Sequence, residues 1–334
     1  MMCVPHDSWM CGTNPPDEMT MTKDMSALIC GSFAFDTIMV FPGRFKNEIL
    51  PDKVHILNVA FLVPQLRREF GGTAGNIAYA LQLLGGKALP MGTVGNDFDR
   101  YSAWLDQAGI DQRYIKQIAD AYTAQAYITT DLDDNQITAF HPGAMNFAHT
   151  QDVVTKGVKI GTVSPDGRDG MLSHARQFAE ANIPFLFDPG QGLPMFNGEE
   201  LRDFIEKASY LAVNDYESEV LMERTGWTLQ GIADRLDALI VTRGGKGSQI
   251  HAKGRVYEIP CAHASALADP TGCGDAFRGG LLYGLLNGMD WETTGRIASL
   301  MGAYNIERPG TQNYKLTPES FRERFKEEFR YDLK

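Results

Sequence analysis

The chain has little of what most often betrays a function. Five cysteines are spread over 334 residues, at Cys3, Cys11, Cys30, Cys261 and Cys273, an odd number without a CxxC spacing. That argues against a disulfide framework and against a thiolate zinc site, and it suits a reducing cytoplasm. No apolar run approaches the roughly 20 residues that span a bilayer. Basic charge is in deficit: 31 Lys and Arg stand against 42 Asp and Glu, a net charge of −11. Nucleic acids and anionic membranes need clustered cations, so neither partner is expected. An anionic small molecule stays open, because backbone N–H groups can hold one in a locally positive pocket.

What is there reads as a globular chain. Hydrophobic residues make up 43% and charged residues 22%, enough for one large domain or a large domain with an appendage. Residues 1–25 carry acids and prolines without an apolar stretch, so they read as a disordered tail and not a signal peptide. Beyond them, apolar strands alternate with helices. ALICGSFAFDTIMVF (Ala27–Phe41) gives a strand, a turn at Gly31-Ser32 and a second strand. GGTAGNIAYALQLLGG (Gly71–Gly86) gives a glycine turn, then a helix with Ile77, Ala80, Leu81 and Leu84 on one stripe. Such alternation predicts an α/β fold with helices on both faces of a mostly parallel sheet. Two segments break the pattern. VHILNVAFLV (Val54–Val63) is strand-like, and TAQAYITTD with NQITAFHPG forms a hairpin about Asp131–Asn135. Together they predict a small β lid, 42–70 and 122–142, on a body made of 26–41, 71–121 and 143–334.

Four motifs carry candidate chemistry, and each has a plain structural alternative. In DPTGCGDAFRGG (Asp269–Gly280), Gly272 and Gly274 let the backbone approach a ligand at the start of an apolar helix. Asp275 there is either an N-terminal support or a proton acceptor. TRGGKG (Thr242–Gly247) is either a plain glycine turn or a phosphate- or ribose-touching one; the following residues fail the Walker A pattern. Asp36 is a turn residue or an acceptor of two sugar hydroxyls. NDYE (Asn214–Glu217) is a helix capping box or an Asn/Glu pair orienting Mg²⁺-bound water. GGTAGN (Gly71–Asn76) lacks the GxGxxG spacing, which leaves an NAD-dependent oxidoreductase unsupported. Its two glycines read as a hinge, with Asn76 as a polar contact.

These motifs, in this order, resemble the ribokinase-like (PfkB) family of sugar and nucleoside kinases, from Ala27 to the C-terminus. FPGRF (Phe41–Phe45), FHPGAM (Phe140–Met145), Phe61-Leu62-Val63, NDYE and PGTQ (Pro309–Gln312) look most like adenosine kinases of the actinobacterial type. The resemblance implies a three-layer sandwich whose central, mostly parallel sheet carries a small β-sheet lid. It implies transfer of the γ-phosphoryl group of ATP to the 5′-hydroxyl of adenosine in purine salvage, with Mg²⁺ and K⁺. Inosine, guanosine, ribose or fructose is the alternative acceptor. Asp275 then matches the catalytic base, and Gly272, Cys273 and Gly274 the anion hole. Ser32, Asp36, Gly72, Asn76, Phe140 and Gln191 fall at substrate positions, with Phe140 stacking on the base. Asn214, Thr242, Gly244 and Gly247 match the ATP site, Glu217 the Mg²⁺ contact through water, and Asp269 and Thr271 the monovalent-cation site.

Two departures bear on the acceptor. Ala126 stands where a second lid aromatic is expected, and Gln191-Gly192 where paired glutamines are. Cys273, at a helix N-terminus, either has a lowered pKa and reacts with thiol reagents unless ATP protects it, or simply fits a small-residue position. A homodimer through the lid and a cytoplasmic location are expected by resemblance. A catalytically silent nucleotide binder of the same fold would have no need of Asp275.

Overall fold

The computed structural model describes residues 26–49, 56, 58–133 and 135–333; the expected tail, 1–25, lies outside the described residues. The strands are β1 (Ser26–Cys30), β2 (Ala34–Val40), β3 (Gln65–Gly71), β4 (Ala88–Val94), β5 (Tyr114–Gln117), β6 (Ala124–Thr130), β7 (Gln136–His141), β8 (Val158–Val163), β9 (Phe185–Phe187), β10 (Tyr210–Asn214), β11 (Ala238–Thr242), β12 (Ser248–Ala252) and β13 (Arg255–Ile259). The α-helices are α1 (Phe45–Glu48), α2 (Thr73–Leu83), α3 (Asp99–Gln107), α4 (Arg168–Glu180), α5 (Gly198–Lys207), α6 (Asp215–Thr225), α7 (Leu229–Ala233), α8 (Cys273–Leu286), α9 (Trp291–Ile306) and α10 (Pro318–Phe329).

Nine strands form the main sheet in the order β13-β12-β11-β10-β9-β8-β1-β4-β5. Pairing is parallel from β11 to β5, and β12 and β13 close one edge antiparallel. Strand β1 shows why its sequence reads as an unbroken apolar run. Ala27 and Ile29 enter the core beneath α2, α3, α8, α9 and α10, whereas Leu28 and Cys30 enter the core beneath α4 to α7. A strand covered on both faces has no polar side to alternate with. The result is the three-layer sandwich expected from the sequence.

Close helix packing explains the glycines inside α8. A Cβ on Gly279 would stand 2.4 Å from Ala80 Cβ of α2, and one on Gly280 would stand 2.6 Å from Ala298 Cα of α9. Gly280→Ala would therefore push backbone against backbone.

The second sheet has four strands in the order β3-β2-β6-β7. It is the lid, with two differences from the sequence reading. Residues 34–40, which the sequence places in the body, lie inside the lid as β2 between β3 and β6. The strand that pairs with β2 on its other side is Gln65–Gly71, not VHILNVAFLV, whose described residues 58–63 form no strand. The reason is compositional. QLRREFG sets Gln65, Arg67 and Glu69 on one face and Leu66, Arg68 and Phe70 on the other, whereas residues 58–63 of the more apolar segment before it pair with no strand. Among the described residues no helix is long and apolar enough to cross a membrane.

The carboxyl ends of β1, β8, β9, β10 and β11 lie side by side, and the loops that leave them carry Ser32, Asp166, Asp188, Asn214 and Thr242. In open α/β sheets this edge is where ligands bind.

Candidate active site

The loop before α8 turns on Gly272. Its φ of 80° is left-handed, and a Cβ there would stand 2.8 Å from Thr311 Cγ2. Only glycine meets both demands. Among the described residues the N–H groups of Gly272, Gly274 and Asp275 have no backbone acceptor, while that of Cys273 donates to Pro270 O at 3.2 Å. Free amides at a helix N-terminus make a corner for an anion, reinforced by the helix dipole.

Asp275 does not cap this helix: α8 has no side-chain cap. Its carboxylate instead accepts a hydrogen bond from Asn76 Nδ2 at 2.7 Å. Burial pushes its pKa up to about 7; the Asn76 amide and Arg278 oppose the rise, and Asp188 and Asp36 add to it. A carboxylate poised near neutrality can take a proton at the pH of a cell.

Asn76 is held by a buried network. Its Oδ1 accepts from Thr311 Oγ1 at 2.8 Å and from Gln312 Nε2 at 2.9 Å. Gln312 also donates to the Tyr101 oxygen at 2.6 Å and accepts from Trp104 Nε1 at 2.8 Å. Tyr101 donates in turn to Gly71 O at 2.9 Å. With Oδ1 occupied by donors, the amide nitrogen of Asn76 faces Asp275.

The Cys273 thiol runs against expectation. Burial raises its pKa, and the negative Asp269 and Asp275 raise it further, against a 3.4 Å contact from Asn305 Nδ2. Burial is the largest cause, and the two carboxylates that flank the same turn add to it. This direction is opposite to the lowered pKa expected of a thiol at a helix N-terminus.

One turn beyond Asp275, Arg278 is buried against Asp188, with Nη2 2.9 Å from Asp188 Oδ1 and 3.1 Å from Ala212 O. Asn214 caps α6, its Oδ1 accepting from Glu217 N–H at 2.7 Å, and Glu217 Oε2 accepts from Asn214 N–H at 2.8 Å. The capping box is thus real. The second oxygen of Glu217 makes none of the described hydrogen bonds. Burial raises this carboxyl, while the Asn214 N–H and Arg278 oppose the rise. Thr242 ends β11 as the register partner of Asn214. Gly244 and Gly247 follow with φ of 54° and 82°, and a Cβ on Gly244 would meet nothing within 4 Å. This turn is open beside Asn214. Gln191 lies exposed on the turn Gly190–Met195 and takes no part in the Asp275 network.

The lid supplies the other wall. Glu69, Asp36, Ala126 and Phe140 are register partners across β3, β2, β6 and β7, so the four share one face. Asp36 presses on the hinge: a Cβ on Gly71 would stand 2.5 Å from Asp36 Oδ2. Burial raises the Asp36 pKa to about 6, and Glu69 and Asp269 add to the rise. Phe140 is 51% exposed and Ala126 only 9%. The row therefore has a carboxylate, then a short side chain, then a free ring. Ser32 is tied to the hinge helix: its Oγ accepts from Thr73 N–H and its N–H points at Thr73 Oγ1, both at 3.3 Å. A Cβ on Gly72 would stand 2.5 Å from Ser32 O.

Gln312, Tyr101, Trp104, Asp188 and Arg278 were not among the residues expected from sequence to build the site. Arg278 had a signal: a lone cation inside the apolar helix of DAFRGGLL needs a buried acid. Of the Gln312 network, PGTQ and Asn76 were visible as motifs, but their meeting was not, because its members lie on three separate segments.

Residues 36–318 match the family model described as pfkB family carbohydrate kinase. The chain is 34% identical over 298 residues to a nucleoside kinase of Methanocaldococcus jannaschii, covering 87% of this chain and 94% of that one. It superposes on a Burkholderia thailandensis nucleoside kinase in complex with inosine with a TM-score of 0.84 at 52% identity, covering 92% of this chain and 99% of the other. A second structure of that enzyme, in complex with ADP-inosine, gives a TM-score of 0.82 at 53% identity, over 92% and 98% of the two chains.

Proposed function

The chain belongs to the pfkB carbohydrate kinase family, and within it we propose a nucleoside kinase that moves the γ-phosphoryl group of ATP to the 5′-hydroxyl of a purine nucleoside. One observation carries the chemistry: Asp275 stands half-buried at the free-amide corner of α8, aligned by Asn76, with a pKa of about 7. Asp275 accepts the hydroxyl proton as that oxygen bonds to phosphorus. The bond from phosphorus to the bridging oxygen breaks, and its electron pair leaves with ADP. The free amides of Gly272 and Gly274, on either side of Cys273, face the charge on the transferred group, which is where fixed dipoles lower a barrier most. Lid closure over Ser32, Gly72 and Asn76 excludes water, which would otherwise compete as acceptor.

The acceptor is read from the lid. Asp36 takes ribose hydroxyls, and Phe140 stacks on a base; a free sugar would have no use for an exposed ring at that end of the row. Adenosine is the first acceptor on resemblance. Inosine is the second, favoured by its complex with the 52% identical enzyme and by the short Ala126. ATP lies along Asn214, Thr242, Gly244 and Gly247. The unshared oxygen of Glu217 fits a water of hydrated Mg²⁺, an ion that would neutralise phosphate charge when bound. Leu66, Tyr127 and Ile137 expose 63%, 42% and 44% of their surface on the lid, which supports a homodimer through its outer face.

The test is ADP formation from MgATP with adenosine, inosine, guanosine, ribose and fructose offered separately, with Asp275→Asn beside the wild type. We expect turnover with purine nucleosides that falls by about three orders of magnitude or more in the variant. Turnover with free sugars alone would sink the nucleoside reading. Nucleotide binding without any turnover would leave a silent binder.

A further inference from the structure

The resemblance puts a monovalent cation at Asp269 and Thr271, and the donor set found there does not fit one. Asp269 Oδ1 accepts from Thr271 N–H at 3.0 Å, and Oδ2 accepts from Gly310 N–H at 3.0 Å. Oδ2 also faces the Arg67 guanidinium, with Nη2 at 3.4 Å. Each oxygen thus already accepts from an N–H donor, and Oδ2 has a positive partner besides. A second cation on the same carboxylate would meet like-charge repulsion at close range.

Arg67 arrives from the lid. It lies two residues from Glu69 on β3, so both side chains share the face turned to the body. Its Nη1 is 3.4 Å from Glu69 Oε1, and Glu69 Oε2 accepts from Asn313 Nδ2 at 2.8 Å. One guanidinium and one carboxylate of the lid therefore grip Asp269 and Asn313, which flank the two loops behind the anion corner. Asp269 lies three residues before Gly272. An uncompensated carboxylate there would oppose the phosphate charge that the corner has to hold.

We propose that Arg67 is the resident cation of this corner: the lid carries the guanidinium to Asp269, where it replaces a monovalent metal ion and couples closure to the anion loop. Arg67 is a positioning residue, since it acts through Asp269 and the loop and not on substrate. The proposal rests on the phosphoryl-transfer reading above. It makes two demands of the molecule. The native enzyme works without K⁺, and loss of Arg67 exposes a need for a cation.

The test compares wild type, Arg67→Met and Arg67→Lys with MgATP and a nucleoside in tetramethylammonium chloride, with KCl replacing that salt stepwise at fixed ionic strength. The wild-type rate should be flat across the series. Arg67→Met should lose about tenfold in kcat, a modest figure because the pair is partly solvated, with little change in nucleoside KM. Arg67→Lys should recover most of the loss, and K⁺ should restore part of the Arg67→Met rate. A purely structural role would show neither recovery. A wild type that K⁺ activates saturably, or an Arg67→Met enzyme with full kcat in the absence of K⁺, overturns the proposal. Melting temperatures of the same proteins without substrates give an independent reading. K⁺ should stabilise Arg67→Met and leave the wild type unmoved, and a K⁺ shift equal in both overturns the proposal. If no acceptor is phosphorylated, the kinase reading fails, and the melting series still decides the role of Arg67.

Discussion

On the nucleoside-kinase reading proposed above, the α8 corner and the lid sheet share one substrate space, and they are built on opposite terms. At the corner a half-buried Asp275 is held by buried partners: Asp275 by Asn76, Asn76 by Thr311 and Gln312, and Arg278 by Asp188. On the lid, one layer of four strands presents Asp36, Ala126 and Phe140 in a row, and the ring at its end is half exposed. Burial does the electrostatic work at the corner, because a low dielectric is what lifts a carboxyl to about 7. Register does the recognition work on the lid, because strand pairing alone decides which side chains share a face. The lesson is that chemistry and selectivity should fail separately, the first in kcat and the second in KM.

Asn76→Ala strains that separation most. It removes the bond that aligns Asp275 and lowers its pKa. We expect kcat to fall about a hundredfold, within the range by which an aligned base contributes. The pH profile sharpens the point. Asp275 works when ionised, so wild-type activity should rise with pH through about 7 and then level off. Without the Asn76 amide the carboxyl loses a stabiliser of its charged form, and the midpoint should move to higher pH. A profile that stays in place while activity falls would mean that Asn76 serves substrate and not Asp275.

Gln312→Leu is the next smaller effect, and it tests whether the corner is held from outside the substrate space. The change leaves Asn76 Oδ1 with Thr311 alone and orphans the Trp104 N–H. We expect kcat to fall about tenfold and the melting temperature to drop by several degrees, as for a buried polar group left unpaired. A change in nucleoside KM with kcat intact would break the division drawn above.

The same contrast explains what could be read in advance. Asp275, Gly272, Gly274 and Cys273 are contiguous, and their glycines can be read locally because Gly272 has both a left-handed φ and no room for a Cβ. The alternating sandwich was legible because strands such as β1 are apolar on both faces. The β3 strand was not, since Arg67 and Glu69 gain their meaning only when β2 supplies a partner and the body supplies Asp269. The Cys273 shift was misjudged for a related reason. The dipole is visible in the sequence around the cysteine, but the degree of burial and the field of Asp269 and Asp275 are properties of the folded turn. Asn214 and Glu217 were legible as a cap, which is present, and the cap leaves the proposed phosphate-side role open.

The smallest effects belong to the lid row, and they bear most directly on the acceptor. Phe140→Ala should raise nucleoside KM about tenfold with kcat nearly kept, the scale of one lost base–ring stack. Ala126→Phe runs the other way. Ala126 stands between Asp36 and Phe140 in register, so a ring there would project into the space that the base crosses on its way from ribose to Phe140. We expect a severalfold change in the ratio of kcat/KM for adenosine over inosine, with the rate at saturation little altered. If the short side chain at 126 is what admits more than one purine, the substituted enzyme should discriminate more strongly than the wild type. An unchanged ratio would assign purine choice to groups outside the lid row, and the division between a chemical corner and a selective lid would then hold for ribose and not for the base.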